Sequence, residues 1–191
     1  MKVLMAVPNV CEGRDGAVID TIVDTVRSVM GVKLLDVSSD ENHNRTVLTY
    51  LGEVEPVLEA SRRMALVALE LIDMRVHAGA HPRVGAVDAV PFVPVKGMEM
   101  SEVVEAAHSF GRYLGARGVP IWYYGAAASG SGRPVGTGKL TQQLLGEYEN
   151  LPRQVVDDAW PPDEGLLGRL TLGTGRARSV PGHTSFASTS I

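Results

Sequence analysis

The chain of 191 residues is long enough to bury a core of its own, and its 45% hydrophobic and 21% charged content is that of a soluble globular protein. Its 18 Lys and Arg stand against 22 Asp and Glu, and the net charge of −4 gives no overall attraction to nucleic acid or to an anionic membrane. The single cysteine, Cys11, excludes an internal disulfide framework and a cysteine-rich metal site, and fits a reducing compartment.

Val3 to Pro8 predicts a buried strand, too short for a signal-peptide core. No other apolar run reaches the roughly 18 residues a membrane span needs, so the expected setting is cytoplasmic. Asn9 and Gly13 predict a turn into an amphipathic helix from about Ala17 to Met30, with Val18, Ile22, Val26 and Val29 on one face. Gly31 ends that helix, Val32 to Val37 predicts a strand running into the polar loop Ser38 to Asn44, and Arg45 to Leu51 predicts another. Pro56 stands near the start of a long helix to about Asp73. A strand from about Gly85 to Val95 carries Pro91 and Pro94, which call for an edge position, a bend or a bulge. Ser101 is the expected cap of a helix to about Gly115, and Pro120 to Tyr124 is a fifth strand. The leading β-α-β-β-α-β order predicts an α+β ferredoxin-like sandwich, a mainly antiparallel sheet with helices on one face. Gly125 to Gly138 reads as a surface loop, Leu140 to Asn150 as a helix, and residues 164–191 as an irregular or disordered tail.

The segment from His77 to Pro94 gathers titratable residues into a helix-breaking frame. His77 and His81 stand four apart, but Gly79 and Pro82 disfavour the helix that would make them a metal pair, and no metal is expected. His77 reads best as a hydrogen-bonded structural residue. Pro82 holds His81 out of helical geometry and Arg83 adds a fixed cation suited to carboxylate or phosphate, so His81 is the candidate general acid/base. A second charged cluster, Asp36, Asp40, Glu41, His43 and Arg45, lies where a strand ends. The turn from Pro8 to Arg14 could bind an anion at a helix start, but lacks the glycines of a phosphate cradle.

Five separated groups of residues carry a family resemblance. They are Val7-Pro8-Asn9 with Glu12-Gly13-Arg14, Leu35-Asp36-Val37 with Asn44-Arg45-Thr46, Ile72-Asp73-Met74, His81 to Asp88 with Pro91-Phe92-Val93-Pro94, and Gly146-Glu147-Tyr148-Glu149. In this order they resemble the N-terminal subdomain of glutamate formiminotransferase, across about residues 3 to 163. The resemblance implies transfer of a formimino group from N-formimino-L-glutamate to tetrahydrofolate in histidine degradation, with folate as co-substrate in a groove between two ferredoxin-like subdomains. It implies His81 as general acid/base. Asn9, Arg14, Arg45 and Arg83 are candidates for substrate or folate contacts, and Gly165 lies where the family's folate segment would align. Where the family has an aspartate supporting the histidine, two residues after Asp36, this chain has Ser38; Asp88 or Asp40 is the candidate substitute. The expected organisation is residues 1–163 as this subdomain and 164–191 as a tail without a second subdomain, so the site is expected to be completed by a homodimer or a separate second-subdomain partner. The alternative expectation is a non-catalytic folate-binding or protein-interaction module on the same fold. RNA recognition on this fold needs exposed aromatics and a basic sheet face, which the composition does not favour.

Overall fold

A computed structural model describes residues 1–81, 83–128 and 162–165, and the backbone of 187–190. Two short strands, β1 (Val3–Ala6) and β2 (Asn9–Val10), share the same two neighbours and act as one interrupted strand. They are followed by α1 (Gly16–Arg27), β3 (Val32–Asp40), β4 (Arg45–Gly52), α2 (Val54–Leu71), β5 (Val87–Lys96), α3 (Met100–Gly115), β6 (Ile121–Tyr124) and β7 (Ala187–Ser190). The first five strands are antiparallel in the spatial order β3, β4, β1/β2, β5. This is the predicted ferredoxin-like arrangement. β7 then runs parallel to β5, and β6 parallel to β7, on the far side.

Burial follows from the alternation of residues along β4. Thr46, Leu48 and Tyr50 are buried under the helices, where the Tyr50 hydroxyl meets Ser61 Oγ of α2 at 2.7 Å. Arg45, Val47, Thr49 and Leu51 lie on the other, partly exposed face. The core joins Leu4, Ile22, Leu48, Met64, Phe92, Phe110 and Leu114, with Phe92 and Phe110 edge to face at 5.7 Å. Each such fully buried side chain contributes about 1.5–3 kcal/mol. Among the described residues no helix is long and apolar enough to cross a membrane.

Several local expectations are corrected. Asn9 lies in β2 rather than a turn, and β3 continues through Ser38, Ser39 and Asp40 rather than ending at Val37. In both places backbone pairing with β4 outweighs polar side chains, which β3, as an edge strand, tolerates on its open face. Glu99, not Ser101, caps α3, through a reciprocal capping box with Glu102. Pro91 and Pro94 stand inside the sheet, and of the alternatives they called for the bulge is the one found, since β5 shifts register against β1, β2 and β7. In the tail expected to be irregular, Ala187–Ser190 is a strand, held by backbone pairing that needs no apolar periodicity. The predicted helix at Leu140 to Asn150 and the 146–149 motif lie outside the described residues.

Candidate active site

Two loops build the site, and backbone contacts join them. The β3–β4 hairpin passes so close to the 77–81 segment that a Cβ on Gly79 would lie 2.2 Å from the His43 carbonyl oxygen. Ala80 N–H donates to the Asn42 carbonyl at 3.0 Å. Asn44 holds the junction in a left-handed conformation at φ 50°, which Asn tolerates better than most residues. Its buried side chain accepts from Gly13 N–H at 2.9 Å and donates to the Ala78 carbonyl at 3.1 Å. Its own carbonyl accepts from His77 Nε2 at 2.9 Å. His77 therefore has the structural role expected of it, and burial pushes its pKa down.

Arg45, the first residue of β4, stands at the centre of the site. Its Nε donates to Asn9 Oδ1 at 3.0 Å, and Nη2 pairs with Asp88 Oδ2 at 2.9 Å. Nη1 lies 2.5 Å from His81 Nδ1 and 3.0 Å from Nε2, facing the nitrogen-bearing edge of the ring. An arginine N–H only donates, so the ring nitrogen it bonds offers a lone pair. Asp88 reaches Arg45 because the β2–β5 register skips at that residue; Val10 pairs with Val87 and Asn9 with Ala89. The bulge turns Asp88 out of the alternation that sends Val90 and Phe92 into the core. Its other oxygen accepts from Val84 N–H at 2.6 Å, closing the loop after His81. Cys11 is buried beside this cluster, and desolvation together with the Asp88 charge pushes its thiol pKa up, leaving it an inert packed side chain.

The remaining candidates divide between this cluster and other places. Ser38 lies opposite Val47 on the same face as Arg45, and its hydroxyl makes no hydrogen bond among the described residues. Its neighbour Ser39 turns the other way, to Thr46 Oγ1 at 2.8 Å. Asp40 reaches the site through His43: its Oδ1 accepts from His43 N–H at 2.8 Å and lies 3.0 Å from Nδ1, contacts that hold its carboxyl below the usual range. The His43 ring stands 6.0 Å from the His81 ring, centroid to centroid. Arg14 Nε donates to the Glu41 carbonyl at the hairpin tip, and Arg83 Nη2 to the His77 carbonyl at 3.0 Å, so both brace loops. Gly165 packs against Val119 and Pro120, beside β6. The structure thus brings Asn9, Arg45 and His81 together with Asp88, and adds His43, which the sequence offered only as one charge among five.

A ferredoxin-like sandwich thus carries a histidine–arginine–aspartate cluster at the end of its antiparallel sheet. The sequence model of the formiminotransferase domain, N-terminal subdomain, matches residues 3–171, and the chain belongs to that family. It is 43% identical over 165 residues to the formimidoyltransferase-cyclodeaminase of Sus scrofa, covering 86% of this chain and 30% of the relative. To the glutamate formimidoyltransferase of Streptococcus pyogenes it is 38% identical over 165 residues, 86% of this chain and 54% of the relative. The Thermoplasma acidophilum protein of the same name is 36% identical over 166 residues, again 86% and 54%. The chain therefore spans about half the length of the two glutamate formimidoyltransferases, and less of the longer relative.

Proposed function

We propose that this chain takes part in transfer of the formimino group from N-formimino-L-glutamate to tetrahydrofolate, with His81 as the acid/base. The observation that carries the reading is the His81 edge held on Arg45 Nη1, in a member of the formiminotransferase family. A neutral imidazole with an available lone pair is the form that accepts a proton. As the folate ring nitrogen bonds to the formimino carbon, His81 takes that nitrogen's proton. As the bond from that carbon to the glutamate nitrogen breaks, the leaving nitrogen gains a proton and departs as an amine.

The folate N–H competes with Arg45 for the imidazole lone pair. Arg45, still tied to Asn9 and Asp88, then turns Nη1 toward a carboxylate of formiminoglutamate or of the folate glutamyl tail. Ser38 and Asn9 pair with Val47 on the sheet face that carries Arg45, and are kept with Arg14, Arg83 and Gly165 as candidate substrate or folate contacts. We assign no metal. A second copy of the chain, or a separate partner carrying the second subdomain, would complete the folate groove against the open sheet face. The setting is cytoplasmic.

The test is to follow 5-formiminotetrahydrofolate formation from formiminoglutamate, for wild type and His81→Ala. Turnover by wild type and a loss of about 10²- to 10⁴-fold in the variant, with folate still bound, supports the reading. No turnover by wild type, with folate bound, would leave a binding module in its place.

A further inference from the structure

On the formimino-transfer reading, we infer that His43 is a second acid/base residue of the site, and that it, rather than His81, gives the proton to the leaving glutamate nitrogen. Asp40 binds both the backbone and the ring of His43, at 2.8 and 3.0 Å. A carboxylate on Nδ1 sets the tautomer, supports the imidazolium and leaves Nε2 to face a substrate. Nε2 makes no hydrogen bond among the described residues, and half of the side chain's surface is exposed, at 50%. His81 has the opposite surroundings, with a guanidinium on its ring edge. The two imidazoles are thus dressed for opposite tasks, one to accept a proton and one to donate.

The reaction needs two groups in this disposition. Both reacting nitrogens are bonded to one carbon, and hydrogen bonds of about 3 Å from either side converge on it. The 6.0 Å ring spacing, at an interplanar angle of 66°, suits such a bracket. The Ala80–Asn42 hydrogen bond and the close pass at Gly79 keep the two rings from drifting apart. The cycle begins with neutral His81 and protonated His43. The folate nitrogen loses its proton to His81 as its bond to carbon forms, and His43 protonates the glutamate nitrogen as that bond to carbon breaks. It ends with the proton on His81, and exchange with solvent resets both rings.

The experiment compares the full chain with its His43→Ala, His43→Gln and Asp40→Asn variants, measuring kcat, KM and their pH dependence, with folate binding by calorimetry. Both His43 variants are expected to lose about 10²-fold in kcat, with folate affinity kept and added imidazole partly restoring His43→Ala. The groups facing His43 are Asp40 on its own hairpin and, across from it, His81 with Arg45 behind; His77 and Arg14 bind the neighbouring carbonyls of Asn44 and Glu41. Asp40→Asn removes the carboxylate that sets the His43 tautomer and is expected to lower kcat while folate affinity is kept. If His43→Ala keeps wild-type kcat and profile while His81→Ala is inactive, this inference alone fails. A change confined to KM overturns it in favour of a binding role. A wild type without turnover overturns the transfer reading and this inference with it.

Discussion

Replacing Arg45 by Met is expected to cost more stability than any change made to its partners. The Arg45–Asp88 pair is 2.9 Å long, with Arg45 13% exposed and the Asp88 side chain 0% exposed. Met keeps the aliphatic bulk of the arginine, so the cost comes from taking the guanidinium away from a carboxylate that water does not reach. Breaking a buried pair from one side costs about 3–5 kcal/mol, against a total stability of about 5–15 kcal/mol. Asp88→Asn should cost less, about 1–2 kcal/mol. The amide oxygen can still accept from Val84 N–H, and Arg45 keeps Asn9, the imidazole and some solvent. The double variant should fall short of the sum, because the two side chains are in direct contact and either single change already removes that interaction. Urea titrations followed by tryptophan fluorescence and circular dichroism give the three values, with an unchanged m-value showing that the unfolding transition is the same one. A loss below about 1 kcal/mol for Arg45→Met, or strict additivity, would refute the buried-pair argument.

Gly79→Ala forces a Cβ against the His43 carbonyl, so the hairpin and the 77–81 segment must part; thermal unfolding should shift down by the equivalent of about 1–3 kcal/mol, and an unchanged melting temperature would show that the contact yields freely. His77 is held neutral by burial, its pKa lowered from 6.5, so the unfolded chain binds its proton first. Stability should therefore fall as pH drops from 6.5 toward the folded-state value, and His77→Gln should flatten that slope; parallel wild-type and variant curves would contradict it. Cys11, buried and with a raised pKa, should resist thiol reagents in the native state at mildly alkaline pH and react once denaturant is added. Ser38→Asp restores a carboxylate on the face that carries Arg45, and kcat at neutral pH should rise by on the order of tenfold; an unaltered kcat would show that the position no longer couples to His81.

The ferredoxin-like frame was legible because it rests on periodicity. Val18, Ile22 and Val26 mark one helix face, and the alternation from Arg45 to Leu51 marks a strand covered on one side. Boundaries were less legible than the elements themselves. Asp15 caps α1 through its Oδ1 to Ala17 N–H at 2.9 Å, whereas β3 runs on through Ser38 to Asp40 on backbone pairing alone. His81 stood out through its helix-breaking neighbours, and the motif beginning at Asn44 marked Arg45. What spacing could not give was the partner set. Asp88 meets Arg45 only because the sheet skips a residue there, and a bulge leaves no periodic trace. His43 looked like a solvated turn residue because its value comes from a ring 38 positions away along the chain; a left-handed asparagine just after it was the one local sign that the hairpin tip is shaped.

Arg45 also limits how this site can change. Its guanidinium binds Asp88, Asn9 of β2 and the His81 ring at once, so on the proposed reading activity and stability would pass through one residue. A lysine could keep the charge, but it offers a single nitrogen where Arg45 serves three partners with three. The carboxylate side of the site is looser. Ser38, Asp36 and Asp40 alternate along the exposed edge strand, where a substitution costs little packing. On the proposed reading, a chain with Ser38 at this position still holds Asp40 on His43, whereas no equivalent exchange is open at Arg45.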